Sequence, residues 1–122
     1  MKLDTHCLTT LNSNESSQLV GYPAYNRDAL NIGIVHLGLG AFHRSHQAVF
    51  TENVISQTGD LRWGICGIAF RNEALKNAMN KQDGLYTNVI CGKAQTFQIV
   101  GAIKQALVAS TQISEVLETM GL

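Results

Sequence analysis

The stretch Ile34-Val35-His36-Leu37-Gly38-Leu39-Gly40-Ala41-Phe42-His43-Arg44 decides how the rest of the chain is read. Its first half completes the run NIGIVHLG (31–38), which is short, apolar, rich in β-branched residues and stopped by glycine. That is the pattern of a buried parallel strand. Its second half opens AFHRSHQAVFTENVISQTG (41–59), whose apolar positions do not alternate and which holds no proline or glycine before Gly59. The expectation is one helix closed by a glycine C-cap. Gly38-Leu39-Gly40 thus falls where a strand hands over to a helix. There, Gly38 permits a tight turn and Gly40 keeps a side chain out of the path of a pyrophosphate. The amides of Ala41, Phe42 and His43 face the phosphates at the positive end of the helix, and Arg44 offers a charge-assisted contact. The third small residue of the G-x-G-x-x-G pattern is replaced by His43. On spacing alone, Gly-x-Gly after a strand also reads as nothing more than a sharp turn.

Working outward, LRWGICGIAF (61–70) is a second strand, and NEALKNAMNKQ (72–82) a second helix with Asn72 as N-cap and Leu75, Ala78 and Met79 on one face. Asp83-Gly84 marks a turn. LYTNVIC (85–91) and TFQIVGAI (96–103) read as two strands joined near Gly92–Ala94, and Ile113–Met120 begins a last helix capped near Thr111 or Ser114. The order is β-α-β-α-β-β-α, an α/β class with a parallel sheet covered on both faces. It stops on a helix where a further central strand is expected. Residues 1–31 are polar and turn-rich, and read as an N-terminal arm with a short helix around Leu8–Leu11; the domain proper is 32–122.

An acidic residue near the end of the second strand is needed to accept the ribose hydroxyls of the adenosine. Glu73 is the candidate. It reads equally as a solvated glutamate in the first turn of its helix. Glu73 on the ribose favours NAD, whereas Arg71 nearby suits the 2′-phosphate of NADP. His43 and His46 are three apart on one helix, but no third ligand follows at a useful spacing, so no metal site is expected. His36 reads as a core histidine, and Trp63 and Tyr86 as packing residues.

Composition narrows the partners. The 122 residues carry nine basic and nine acidic side chains, which gives no overall attraction for nucleic acid or anionic membrane. Cys7, Cys66 and Cys91 are odd in number and widely spaced, as reduced thiols would be. TLNSNESSQ (10–18) is polar where a signal sequence is apolar. No run approaches the ~20 apolar residues of a membrane span. A cytoplasmic location is expected.

Taken together, IVHLGLGAFHRSHQAVFTENV, WGICGIAFRNE, QDGLYT and QIVGAIKQAL resemble the N-terminal part of the mannitol dehydrogenase family, the long-chain polyol-specific dehydrogenases and reductases. PAYNRDAL (23–30) is also similar to the start of that family. The resemblance covers nearly the whole chain. It implies a partial Rossmann-like dinucleotide-binding domain, incomplete at its C-terminus. It implies an oxidoreductase that interconverts a polyol such as mannitol with a ketose such as fructose. NAD is the implied cofactor, with NADP as the variant and no metal. Gly38, Leu39, Gly40, Ala41, Phe42, His43 and Arg44 would lie in the dinucleotide segment. Of the acidic pair that commonly follows the second strand in this family, Glu73 is kept and Ala74 takes the second place. The family's catalytic lysine, with its asparagine and histidine partners, lies downstream of every matched segment, so no residue here is assigned to catalysis. Lys93 and Lys104 have no claim to that role. The isolated chain is then expected to be inactive. The alternatives are a fructuronate or tagaturonate reductase acting on sugar acids, a truncated remnant without turnover, and a partner-binding module whose glycines only shape a turn.

Overall fold

The computed structural model describes residues 19–122. The expected helix around Leu8–Leu11 lies outside them. Two sheets of three strands are present among the described residues. The first is parallel, in the order β2 (Ile32–Leu37), β3 (Gly64–Ala69), β6 (Ile103–Val108). β3 is buried along its whole length, as the central strand of a covered sheet must be. Its side chains alternate between two cores. Ile65 and Ala69 pack with Ala48, Val49 and Ile55 of helix α2 (Gln47–Thr58) and Met79 of α3 (Glu73–Lys81). Cys66 and Ile68 pack on the opposite face with Leu107 and with Val116 of α4 (Ala109–Thr119). The covered parallel sheet read from the sequence is therefore present.

The second sheet runs β1 (Leu19–Gly21), β5 (Thr96–Val100), β4 (Tyr86–Ile90). β1 is parallel to β5, and β4 and β5 form an antiparallel hairpin. Residues 19–31, expected as an arm, pack on the rest of the fold: β1 joins this sheet, and Arg27 and Leu30 are buried.

Three boundaries differ from the sequence reading. The helix expected over 41–59 is two, α1 (Ala41–Ser45) and α2, because His46 leaves helical geometry at φ −122°, ψ −87°. Its ring bonds the Phe42 carbonyl at 2.8 Å. The C-cap holds: Gly59 is left-handed at φ 69° and its amide bonds the Ile55 carbonyl. The strand expected over 96–103 is also two, β5 and β6. At the corner, the Gly101 amide goes to Glu52 Oε1 at 3.0 Å and its carbonyl accepts from Arg27 Nε at 3.1 Å. Both backbone groups are thus diverted to side chains and the ladder stops. β6, which lies mostly beyond that expected strand, supplies the third parallel strand. The last helix starts at Ala109, four residues early, across a kink at Gln112. Asn72 caps α3 through its side chain, bonded to the Leu75 amide at 2.9 Å. Leu75 and Met79 face inward on that helix but Ala78 is exposed.

Candidate functional site

The chain leaves β2 through Gly38, whose φ of 133° lies in the region that favours glycine. The Gly38 amide is still tied to the sheet, donating to the Ile68 carbonyl at 2.8 Å. Leu39 then turns inward, 2% exposed, over β3. It fits because residue 67 is glycine: a Cβ there would lie 2.5 Å from Leu39 Cδ1. Gly67 therefore supplies the close packing against the turn. The sequence analysis did not single it out, because glycine inside a strand has many causes.

Gly40 is different from Gly38. It caps α1 with φ −74° and ψ 179°, extended backbone that any residue adopts. A Cβ at Gly40 would meet nothing within 4 Å. Neither strain nor packing asks for glycine at this position. Arg44 closes α1 back on the turn, its amide bonding the Gly40 carbonyl at 3.1 Å and its Nε the Leu39 carbonyl at 3.2 Å. The Tyr86 hydroxyl donates to the Arg44 carbonyl at 2.6 Å, so β4 buttresses the helix from outside the parallel sheet. The amides of Ala41, Phe42 and His43, like that of Leu39, have no acceptor among the described residues.

A cleft of about 490 Å³ opens beside this turn. It is lined by Gly38, Leu39 and Gly40 on one side, and by Ala69 to Asn72 and Leu75 on the other. The cleft lies outside the carboxyl ends of two adjacent parallel strands, the general location of ligands in open α/β sheets.

The expected site residues divide. Gly38, Leu39 and Gly40 line the cleft. Ala41 and Arg44 line a smaller hollow of about 160 Å³ with Ser45, Tyr86, Thr87 and Asn88. Phe42 projects outward, 77% exposed, stacked on His46 with ring centroids 4.1 Å apart. Glu73 is not in the cleft wall; its carboxylate is half exposed and 3.9 Å from Lys76 Nζ. Arg71 and Asn72 are in the wall instead.

His43 turns inward, 5% exposed, and its ring lies flat on that of His36, with centroids 3.7 Å apart and planes inclined by 14°. His43 and His46 thus point to different surroundings and do not converge on a common ligand. Neither His43 ring nitrogen has a hydrogen-bond partner in good geometry among the described residues. Burial, reinforced by the neighbouring His36, holds its pKa down to about 4; the Gln47 side chain opposes this, and Arg44 adds slightly to it. At neutral pH the ring is uncharged. This is how a histidine occupies the position where the short glycine fingerprint has a small residue.

Among the described residues no group of three or more His, Cys, Asp or Glu gathers as metal ligands, and no helix is long and apolar enough to cross a membrane.

Comparison with known proteins agrees with this geometry. Residues 32–121 match the family model of the mannitol dehydrogenase Rossmann domain. A mannitol 2-dehydrogenase of Phaeosphaeria nodorum is 36% identical over 115 residues, 90% of this chain and 20% of that protein. A mannitol dehydrogenase of Saccharomyces cerevisiae is 40% identical over 114 residues, 91% of this chain and 22% of that protein. The D-mannonate oxidoreductase of Escherichia coli is 38% identical over 97 residues, 76% of this chain and 20% of that protein. Pseudomonas fluorescens mannitol 2-dehydrogenase, solved as a ternary complex with NAD and D-mannitol, superimposes with a TM-score of 0.86 at 29% identity, over 100% of this chain and 25% of that one. The chain therefore spans about a fifth to a quarter of the length of these relatives. Within that span it belongs to the mannitol dehydrogenase family, as its Rossmann domain.

Proposed function

We propose that this chain is the dinucleotide-binding part of an NAD-dependent oxidoreductase that interconverts a polyol, mannitol, with a ketose, fructose. One observation carries the reading: Gly40 is a glycine the fold does not need. Its backbone is ordinary and the space above it is empty, yet it stands in the cleft at the start of a helix. A residue held small for no internal reason marks a surface that something else approaches closely, and unpartnered amides beside it fit a diphosphate. Leu39, Gly40, Ala41, Phe42 and His43 would give backbone amides to the pyrophosphate, and Arg44 would keep the turn closed. Bound there, NAD supplies the hydride acceptor for the oxidised carbinol carbon. Glu73 directly follows the cleft residue Asn72 and would serve the adenosine ribose by turning from Lys76, a contact too long and exposed to hold it. Arg71 in the wall is the feature that favours NADP. A sugar-acid substrate is the second reading, supported by the match to D-mannonate oxidoreductase. A cytoplasmic location goes with this reading; Cys91 is exposed and has no disulfide partner among the described residues.

The test is calorimetric titration of the chain with NADH and NADPH, beside Gly40→Val. The expected outcome is binding of NADH by the natural chain and at least about a tenfold loss in the variant, with unfolding free energy within about 1 kcal/mol of the original, the cost of valine at a helix N-cap. Equal affinity in the two proteins overturns the reading. Tighter binding of NADPH reverses the cofactor assignment alone.

A further inference from the structure

The stacked pair His36 and His43 sits beneath the turn, and no step of the proposed binding uses either ring. His36 projects from β2 two residues before the turn, and its Nδ1 lies 3.0 Å from the Gly38 carbonyl oxygen. That oxygen only accepts, so Nδ1 must carry the proton in this contact. A trans peptide is planar, with its carbonyl and its N–H on opposite sides. Fixing the Gly38 carbonyl toward His36 therefore turns the Leu39 N–H away from His36, and that N–H has no acceptor among the described residues. Gly38 is the residue most able to let this plane rotate, because glycine is least confined in φ and ψ. The position that most needs glycine for its φ of 133° is thus the one most in need of a restraint.

We propose that His36 is a positioning residue that locks the Gly38–Leu39 peptide plane with its Nδ1–H, and that His43 is the cover holding the His36 ring in register. The proposal rests on the dinucleotide reading above and adds what keeps the cradle formed before the diphosphate arrives. The groups around the pair agree with it. His43 is 5% exposed, lies parallel to His36, and uses neither ring nitrogen for a bond. Its contribution is a flat, uncharged surface, since burial keeps it unprotonated at neutral pH. Sequence spacing alone gives no reason for a histidine at both 36 and 43; the strand, the turn and α1 bring the rings together.

The experiment has two independent arms. In the first, long-range nitrogen–proton NMR of the chain at neutral pH reads the tautomer of His36. The Nδ1–H form is expected, and a pure Nε2–H form overturns the lock whatever the chain binds. In the second, NADH affinity is measured for His36→Asn and His36→Leu, with thermal unfolding recorded for each. Asn places an N–H donor near the position of Nδ1, whereas Leu fills the space without one. His36→Asn is expected to bind within about threefold of the natural chain and His36→Leu at least about tenfold more weakly, a split that lost packing alone does not produce. Equal losses in both variants, or no loss in His36→Leu, overturn the positioning role. Failure of the natural chain to bind NADH instead overturns the proposed function, and the tautomer arm then decides alone whether the lock exists.

Discussion

The turn at Gly38–Arg44 and the corner at Gly101 are both places where backbone leaves a sheet, and they treat their polar groups in opposite ways. At Gly101 the diverted groups are taken up by protein. Glu52 is 1% exposed; one oxygen accepts from the Tyr25 hydroxyl at 2.6 Å and from the Gly101 amide at 3.0 Å. Arg27 bonds the carbonyls of Gly101 and Ile103. Burial pushes the Glu52 carboxyl above the ordinary carboxylate range, and the bond from Tyr25 pulls the other way. At the glycine turn the arrangement is left open. Carbonyls are held by His36 and Arg44, while the amides of residues 39 and 41–43 find no protein acceptor. The corner is a brace for the backbone: its diverted amide and carbonyl are both bonded by side chains, although the second oxygen of Glu52 has no partner in good geometry among the described residues. The turn lacks acceptors on one side, and a stable fold tolerates that only where water or a ligand reaches.

Glu52→Ala challenges the comparison most severely. It leaves the part-buried Tyr25 hydroxyl and the buried Gly101 amide without their acceptor, at a cost of about 3 kcal/mol in urea unfolding. A change below about 1 kcal/mol would show that the corner is not a brace. Gly67→Ala comes next. Its new Cβ would lie 2.5 Å from Leu39 Cδ1 and must push that buried side chain toward the cleft. A loss of about 2 kcal/mol is expected by the same method, together with weaker NADH binding. Retained affinity would separate Leu39 from the cradle.

The smallest effect is a pH dependence. The pKa of His43 is depressed from 6.5 to about 4, so the unfolded chain takes up a proton before the folded one does. Its contribution is fully present above about pH 6.5 and is lost as the pH falls toward about 4. His43→Phe keeps a flat ring and removes the titration. Between pH 7 and pH 5.5 its stability should fall by about 1 kcal/mol less than that of the natural chain. Parallel pH profiles would mean that the ring is not shielded as its burial indicates.

Much of the parallel half was legible in the sequence, because its signals are local. NIGIVHLG and LRWGICGIAF are short apolar runs, and their strands emerge within them. Gly59 and Asn72 act as the caps that their residue types suggest. The brace was not legible. Tyr25 and Glu52 are 27 residues apart and Glu52 and Gly101 are 49 apart, so no window of sequence contains the contacts. A glutamate within a helix pattern reads as solvated unless its burial is known. The single strand expected over 96–103 failed for the same reason, since the groups that break it come from residues 27 and 52. In the site, Glu73 was placed by its distance along the chain from a strand end, whereas Arg71 and Asn72 hold the wall because α3 starts only after them.

By itself the sequence determined that a glycine-rich turn joins a buried strand to a helix, because backbone freedom at Gly38 and apolar patterning on either side are properties of neighbouring residues. Only the tertiary structure decided which glycine the fold requires and which it leaves open. It also brought His43 onto His36 and Leu39 onto Gly67. Those outcomes depend on which surfaces meet when the strands align, and side-chain contact in space is not written in the order of the chain.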